Sequence, residues 1–184
     1  MKNTIVPLLR QQFAQCVFNH KVYEVATERY EKYLFIINIL NIVLVSFALI
    51  FLIFQISTWK QLYSNIAWWI TIWEIIFLFI QLYLNLWDKV VNYKNTALKY
   101  MWLRDEYKNL LWDSIDEDLN NDRIIMIRDH LQTRYQTISE LWFTTTRNDY
   151  IEAQRRLKTS GKDNEDFTWS DKEINKFLPK ELRK

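Results

Sequence analysis

Between Leu8 and Ser160 the chain contains neither glycine nor proline. Without these breakers the backbone has few places to reverse sharply or to end a helix cheaply, so the stretch favours long helices. The only glycine, Gly161, and the two prolines, Pro7 and Pro179, lie outside it. Apolar residues make up 49 % of the 184 residues and aromatics 16 %. The expected fold class is all-α: a two-helix transmembrane hairpin continuous with a cytoplasmic helical bundle.

Two apolar runs carry the membrane reading. Tyr33 to Trp59 has no Asp, Glu, Lys or Arg, and Leu34 to Phe54 holds seventeen Leu, Ile, Val or Phe residues. Those residues favour insertion by about 5 to 10 kcal/mol, which Asn38, Asn41 and Ser46 reduce without reversing. The charged and polar residues ahead of this run, and the lack of a small-residue cleavage site after it, do not fit a signal peptide. The second run, Trp68 to Trp87, has eleven Ile, Leu and Phe residues but also Glu74. Its apolar gain of about 3 to 7 kcal/mol stands against about 2.5 to 3.5 kcal/mol for the carboxylate. It therefore inserts together with the first as a hairpin. Trp59, Trp68, Trp69 and Trp87 sit near the ends, where indoles prefer the interface.

Lys21, Arg29 and Lys32 precede the first span and Lys89, Lys94, Lys99 and Arg104 follow the second, whereas the hairpin turn offers only Lys60. That asymmetry predicts that both termini are cytoplasmic. The implied layout is a cytoplasmic N-terminal helix (1–32), spans at 33–57 and 62–87, a cytoplasmic helical region (88–158), and a linker with a short C-terminal helix (159–184). Leu9, Phe13, Cys16, His20, Tyr23 and Thr27 give the N-terminal helix a face that needs a partner. The second span should run past Trp87 to Ile115 without a break. The acidic "DEDLNND" reads as a turn with Asn121 or Asp122 capping the next helix, whose stripe is Ile124, Ile127, Leu131, Tyr135, Ile138 and Trp142. Thr146 with Asp149, and Ser170 with Glu173, have capping-box spacing. The tail should dock through Trp169, Ile174, Phe177 and Leu178.

The polar residues of the second span fall together. Measured from Glu74 at about 100° per residue, Thr71 lies near +60°, Gln81 near −20°, Asn85 near +20° and Asp88 near −40°. On the first span Asn41, Ala48 and Gln55 recur every seven residues, with Asn38 beside Asn41. Intramembrane polar groups face a bundle interior or a wet path, since lipid offers no hydrogen bond. Glu74 is then either interhelical glue or part of a carboxylate ring, and the ring requires a homo-oligomer because one hairpin encloses nothing. Arg123, Arg128, Arg134, Arg147, Arg155 and Arg156 form either a patch for phosphates or a solvated helical face.

Catalytic signatures do not occur: there is no P-loop, nucleotide-binding glycine motif, Ser-His-Asp order or zinc-protease pair, so the expectation is a non-enzyme without cofactor. Cys16 and His20 are four apart on one face, but two ligands are too few for zinc, and no metal is expected. The lone cysteine permits no internal disulfide.

The segments "FNHKVYEVATERY", "LKYMWLRDEYKNLL", "TTTRNDYIEAQRRLK" and "INKFLPKEL" together resemble the SLATT family, two-transmembrane effectors that associate with SMODS and SLOG domains in bacterial conflict systems. The resemblance covers nearly the whole chain and carries no ligand-binding residues across. It implies an oligomeric, pore-forming or membrane-disrupting antiphage effector. Its implied partners are a nucleotide second-messenger synthase or a retron-type reverse transcriptase with its nucleic acid. The rival class is a non-conducting anchor or scaffold that recruits a cytoplasmic partner.

Overall fold

The structure, a computed structural model, describes residues 2–58, 61–115, 120–140, 144–158 and 169–183. Helices α1 (Lys2–Thr58), α2 (Gln61–Leu84), α3 (Leu86–Ile115), α4 (Asn121–Ser139), α5 (Arg147–Leu157) and α6 (Asp171–Ile174) are followed by a 3-10 turn at Lys180–Leu182. Among the described residues there is no strand, and the fold is all-α. The chain divides into two compact units, one formed by Met1–Ala26 with Asn92–Lys184 and the other by Thr27–Val91.

The first unit is a helical bundle. The N-terminal part of α1 buries Leu9, Phe13, Cys16, Phe18 and Val22 in one cluster with Tyr100, Leu103, Tyr107 and Leu111 of α3. Ile124, Leu131 and Ile138 of α4, Ala153 of α5, and Trp169, Ile174, Leu178 and Leu182 of the C-terminal segment belong to the same cluster. The stripe read on α4 therefore faces the core, while its last member, Trp142, lies outside the described residues. A ladder of tyrosines crosses the bundle. Tyr23 stacks on Tyr100 with centroids 5.6 Å apart, and Tyr100 meets Tyr135 edge-on at 5.8 Å. Burial pushes the phenols of Tyr23, Tyr100, Tyr107 and Tyr135 up, and it does the same to the Cys16 thiol. Asn19 Nδ2 donates to Tyr135 Oη at 2.9 Å and His20 Nδ1 to the Ala97 carbonyl at 2.9 Å, whereas the buried Tyr107 Oη has no hydrogen-bond partner among the described residues.

Local caps set several helix starts. Thr146 and Asp149 form a reciprocal capping box on α5, and Ser170 and Glu173 form one on α6. Aspartate replaces the usual Glu or Gln at the third position of the first box, and its shorter side chain still reaches the Thr146 backbone N–H at 2.9 Å. The cap of α4 differs from expectation. Asn120, in extended backbone conformation, precedes the helix, while Asn121 and Asp122 lie inside its first turn. The rest of the acidic turn (116–119) and the linker (159–168) lie outside the described residues.

The second unit is the hairpin of α1 and α2. About 1.5 Å of rise per residue makes the 24-residue α2 about 36 Å long, enough to cross a hydrocarbon core of about 30 Å. Its large side chains point outward: Phe35 is 66 % exposed, Ile42 66 %, Ile53 65 % and Phe79 67 %. Water would not tolerate so continuous an apolar surface on a folded chain, whereas acyl chains solvate it. Both helices are long and apolar enough to cross a membrane.

The unbroken passage from the second span into α3 is corrected. Asn85 has φ 45°, in the left-handed region, so α2 stops at Leu84 and α3 starts at Leu86. No glycine or proline announces this. Asparagine is among the few non-glycine residues that enter the left-handed region readily, because its short amide bonds locally. Here Asn85 Nδ2 donates to Asp88 Oδ2 at 2.5 Å.

Candidate functional site

The hairpin is built on a seven-residue repeat. On α1, Leu34, Ile37, Asn41, Leu44, Phe51 and Gln55 are half-buried and Ala48 is buried. On α2, Tyr63, Ile70, Glu74, Phe77 and Gln81 are half-buried and Ala67 is buried. Steps of three and four keep each set on one side of its helix, the seam of an antiparallel pair. Ala48 and Ala67 are the small residues that let the backbones approach. At the other end of the seam Asn41 Nδ2 donates to Gln81 Oε1 at 2.8 Å. Asn41 Oδ1 is buried there without a hydrogen-bond partner among the described residues.

The structure sorts the predicted polar stripe into two sets. Glu74, Gln81 and Asn41 lie in the seam, whereas Asn38, Thr71, Asn85 and Asp88 are exposed. Asn38 is turned about 60° from Asn41, and Thr71 about 60° from Glu74 in the same rotational sense. In two antiparallel right-handed helices equal rotations open on the same side, so both residues flank the seam on one face of the hairpin. A cleft of about 390 Å³ opens on that side, lined by Leu34, Leu78, Gln81, Leu82, Asn85, Leu86 and Trp87. Thr71 satisfies its hydroxyl on the Ala67 carbonyl at 3.0 Å. Glu74 has no side-chain hydrogen bond or ion pair among the described residues. Asp88 does not extend the stripe as projected, because the helix is interrupted at Asn85.

The arginine patch is largely neutralised by neighbours. Arg128 pairs with Asp129 at 2.5 Å, Arg134 with Glu106, and Arg155 and Arg156 with Glu152 at 2.7 and 2.8 Å. Hydrogen bonds from Arg155 and then Arg156 hold the Glu152 carboxyl down at about 2. Arg123 and Arg147 are exposed at the starts of α4 and α5. Among the described residues no group of three or more His, Cys, Asp or Glu side chains could hold a metal ion.

One long-range contact went unread in the sequence. Arg10 is buried at 2 % exposure, and its guanidinium donates to the Leu182 carbonyl, to Asn175 Oδ1 at 2.7 Å and to Asp171 Oδ1 at 3.4 Å. The neighbouring Gln11 grips the Trp169 backbone twice, donating to its carbonyl at 2.7 Å and accepting from its N–H at 3.0 Å. With Trp169, Ile174, Leu178 and Leu182 buried, residues 169–183 are clasped onto α1. The available signal was a basic residue within the apolar-periodic face of the first helix.

Two long apolar helices bearing a polar seam, together with a helical bundle, define a two-span helical membrane protein. The family model described as SMODS and SLOG-associating 2TM effector domain family 4 matches residues 5–173. The chain belongs to that family, and is a two-transmembrane effector domain of the kind associated with SMODS and SLOG systems. No curated protein and no solved structure matches it.

Proposed function

We propose that copies of this chain assemble in the bacterial inner membrane into a pore or membrane-disrupting array that serves as an antiphage effector. Both termini lie in the cytoplasm, and the helical bundle there receives the trigger, a nucleotide signal or a reverse transcriptase complex with its nucleic acid. The single observation that supports this reading is Glu74: a half-buried carboxylate inside a span, with no partner among the described residues. Lipid offers it no hydrogen bond, so water or another copy must. Asn38 and Thr71 are exposed on the side beside it, which gives an assembly polar groups to turn inward. The expected result for Glu74→Gln is lower ion conductance and weaker dye release from liposomes at unchanged insertion. Unchanged leakage would refute the carboxylate ring.

The Asn41–Gln81 hydrogen bond favours a second reading, a non-conducting anchor whose polar seam only holds the hairpin together. An anchor tolerates exchange of both spans for unrelated ones, and expressing cells keep their membrane potential. A conducting assembly fails both tests.

A further inference from the structure

The sequence encodes a polar arc that the backbone leaves incomplete. Thr71, Glu74, Gln81, Asn85 and Asp88 share an arc of about 100° only if the helix runs through Asn85 at about 100° per residue. The left-handed φ of 45° at Asn85 removes Asp88 from that register. Nothing in the local chemistry forces the interruption, since Leu84 and Leu86 on either side are good helix formers and no glycine or proline is near. Asparagine suits both states. It enters the left-handed region at modest cost and stands in a helix interior at a small one. The cleft straddles the same point, with Gln81 and Leu82 before the interruption and Leu86 and Trp87 after it. Side chains there have room to repack when the backbone changes.

We propose that Asn85 is a two-state hinge. In the quiet hairpin it is left-handed, with its amide held by Asp88. In the conducting assembly it becomes right-handed, α2 and α3 fuse through Leu86, and Asp88 comes into line with Gln81 and Glu74 to lengthen the polar path by a turn. This role rests on the conducting function proposed above.

Substitutions at this exposed residue act in opposite directions. Asn85→Gly removes the left-handed penalty and favours the interrupted state, whereas Asn85→Ala carries that penalty together with the best helix propensity. In the full-length chain reconstituted in liposomes, spin labels at Phe79→Cys and Val91→Cys report the state; both sites are exposed, and the buried Cys16 stays unlabelled. Twelve residues of continuous helix separate such labels by about 18 Å along the axis. Asn85→Ala is expected to move the distance to that value and Asn85→Gly to keep the resting one. Half-maximal dye release should need about tenfold less protein per lipid for Asn85→Ala than for Asn85→Gly. Equal thresholds, a reversed order, or dye release with unmoved distances would overturn the hinge and leave the conducting function standing. Distances that move as stated while no chain, native included, releases dye support the backbone switch and refute the conducting function instead.

Discussion

Replacing Arg10 by methionine tests how residues 169–183 are held. Methionine keeps the apolar stem and removes the guanidinium, so the hydrophobic packing of Trp169, Ile174, Leu178 and Leu182 remains. Two well-placed hydrogen bonds from a charged donor, to the Leu182 carbonyl and to Asn175 Oδ1, contribute about 3 to 6 kcal/mol together. The buried Arg10 Nε has no partner among the described residues, which takes back about 1 to 3 kcal/mol. Asp171 adds little, because its side chain is 61 % exposed and 3.4 Å away, where solvent screens the pair. Taking the middle of each range, the net loss is about 2.5 kcal/mol, which raises the opening constant of the segment roughly 70-fold. Amide hydrogen exchange read by mass spectrometry over peptides covering 171–183 measures this directly. Asp171→Asn should change it by less than about fivefold, corresponding to at most about 1 kcal/mol. Unchanged exchange in Arg10→Met would show that apolar contacts alone hold the segment and would refute the clasp.

Two further outcomes follow from the same contacts. Asn41→Leu alone strands Gln81 in the seam and should cost about 0.6 to 1.7 kcal/mol of hairpin stability in bilayers, whereas the double change Asn41→Leu with Gln81→Leu should cost less than either single change; equal additivity would mean the bond does not couple the helices. Glu152 should titrate with a midpoint of about 2 in carbon-detected NMR, because its folded pKa is depressed by Arg155 and Arg156. The contribution of this cluster is then present above the unfolded pKa and lost as pH falls through the folded value, so it does not respond between pH 5 and 7. Replacing both arginines by alanine should return the midpoint to the ordinary carboxylate range.

Much of the architecture was legible because it rests on local rules. The lack of breakers between Leu8 and Ser160 foretold helices, and the spacing of Thr146 to Asp149 and Ser170 to Glu173 foretold two starts that the structure caps reciprocally. The seven-residue recurrence of Asn41, Ala48 and Gln55 marked the seam. The interruption at Asn85 was not legible, since it depends on one backbone torsion of a residue that also suits a helix. The cap of α4 slipped by one residue for a similar reason: "NND" supplies three consecutive cap-forming side chains, and only backbone geometry selects Asn120. A helical projection treats the arginines as one face and ignores the acids around them, so it missed Glu106 on α3 beside Arg134. Arg10 stood out only as a basic residue on an apolar face, and its partners could not be read because they lie more than 160 residues away.

That separation has a consequence for biosynthesis. The Leu182 carbonyl lies 172 residues after Arg10, and a ribosome adding about 5 to 20 residues per second needs roughly 10 to 30 s to reach it. During that interval the nascent protein has already delivered its greasy segments to the insertion machinery, yet its guanidinium still lacks a cover. A transcript cut short, or translation that stalls, yields a product whose opening segment never receives its final strap.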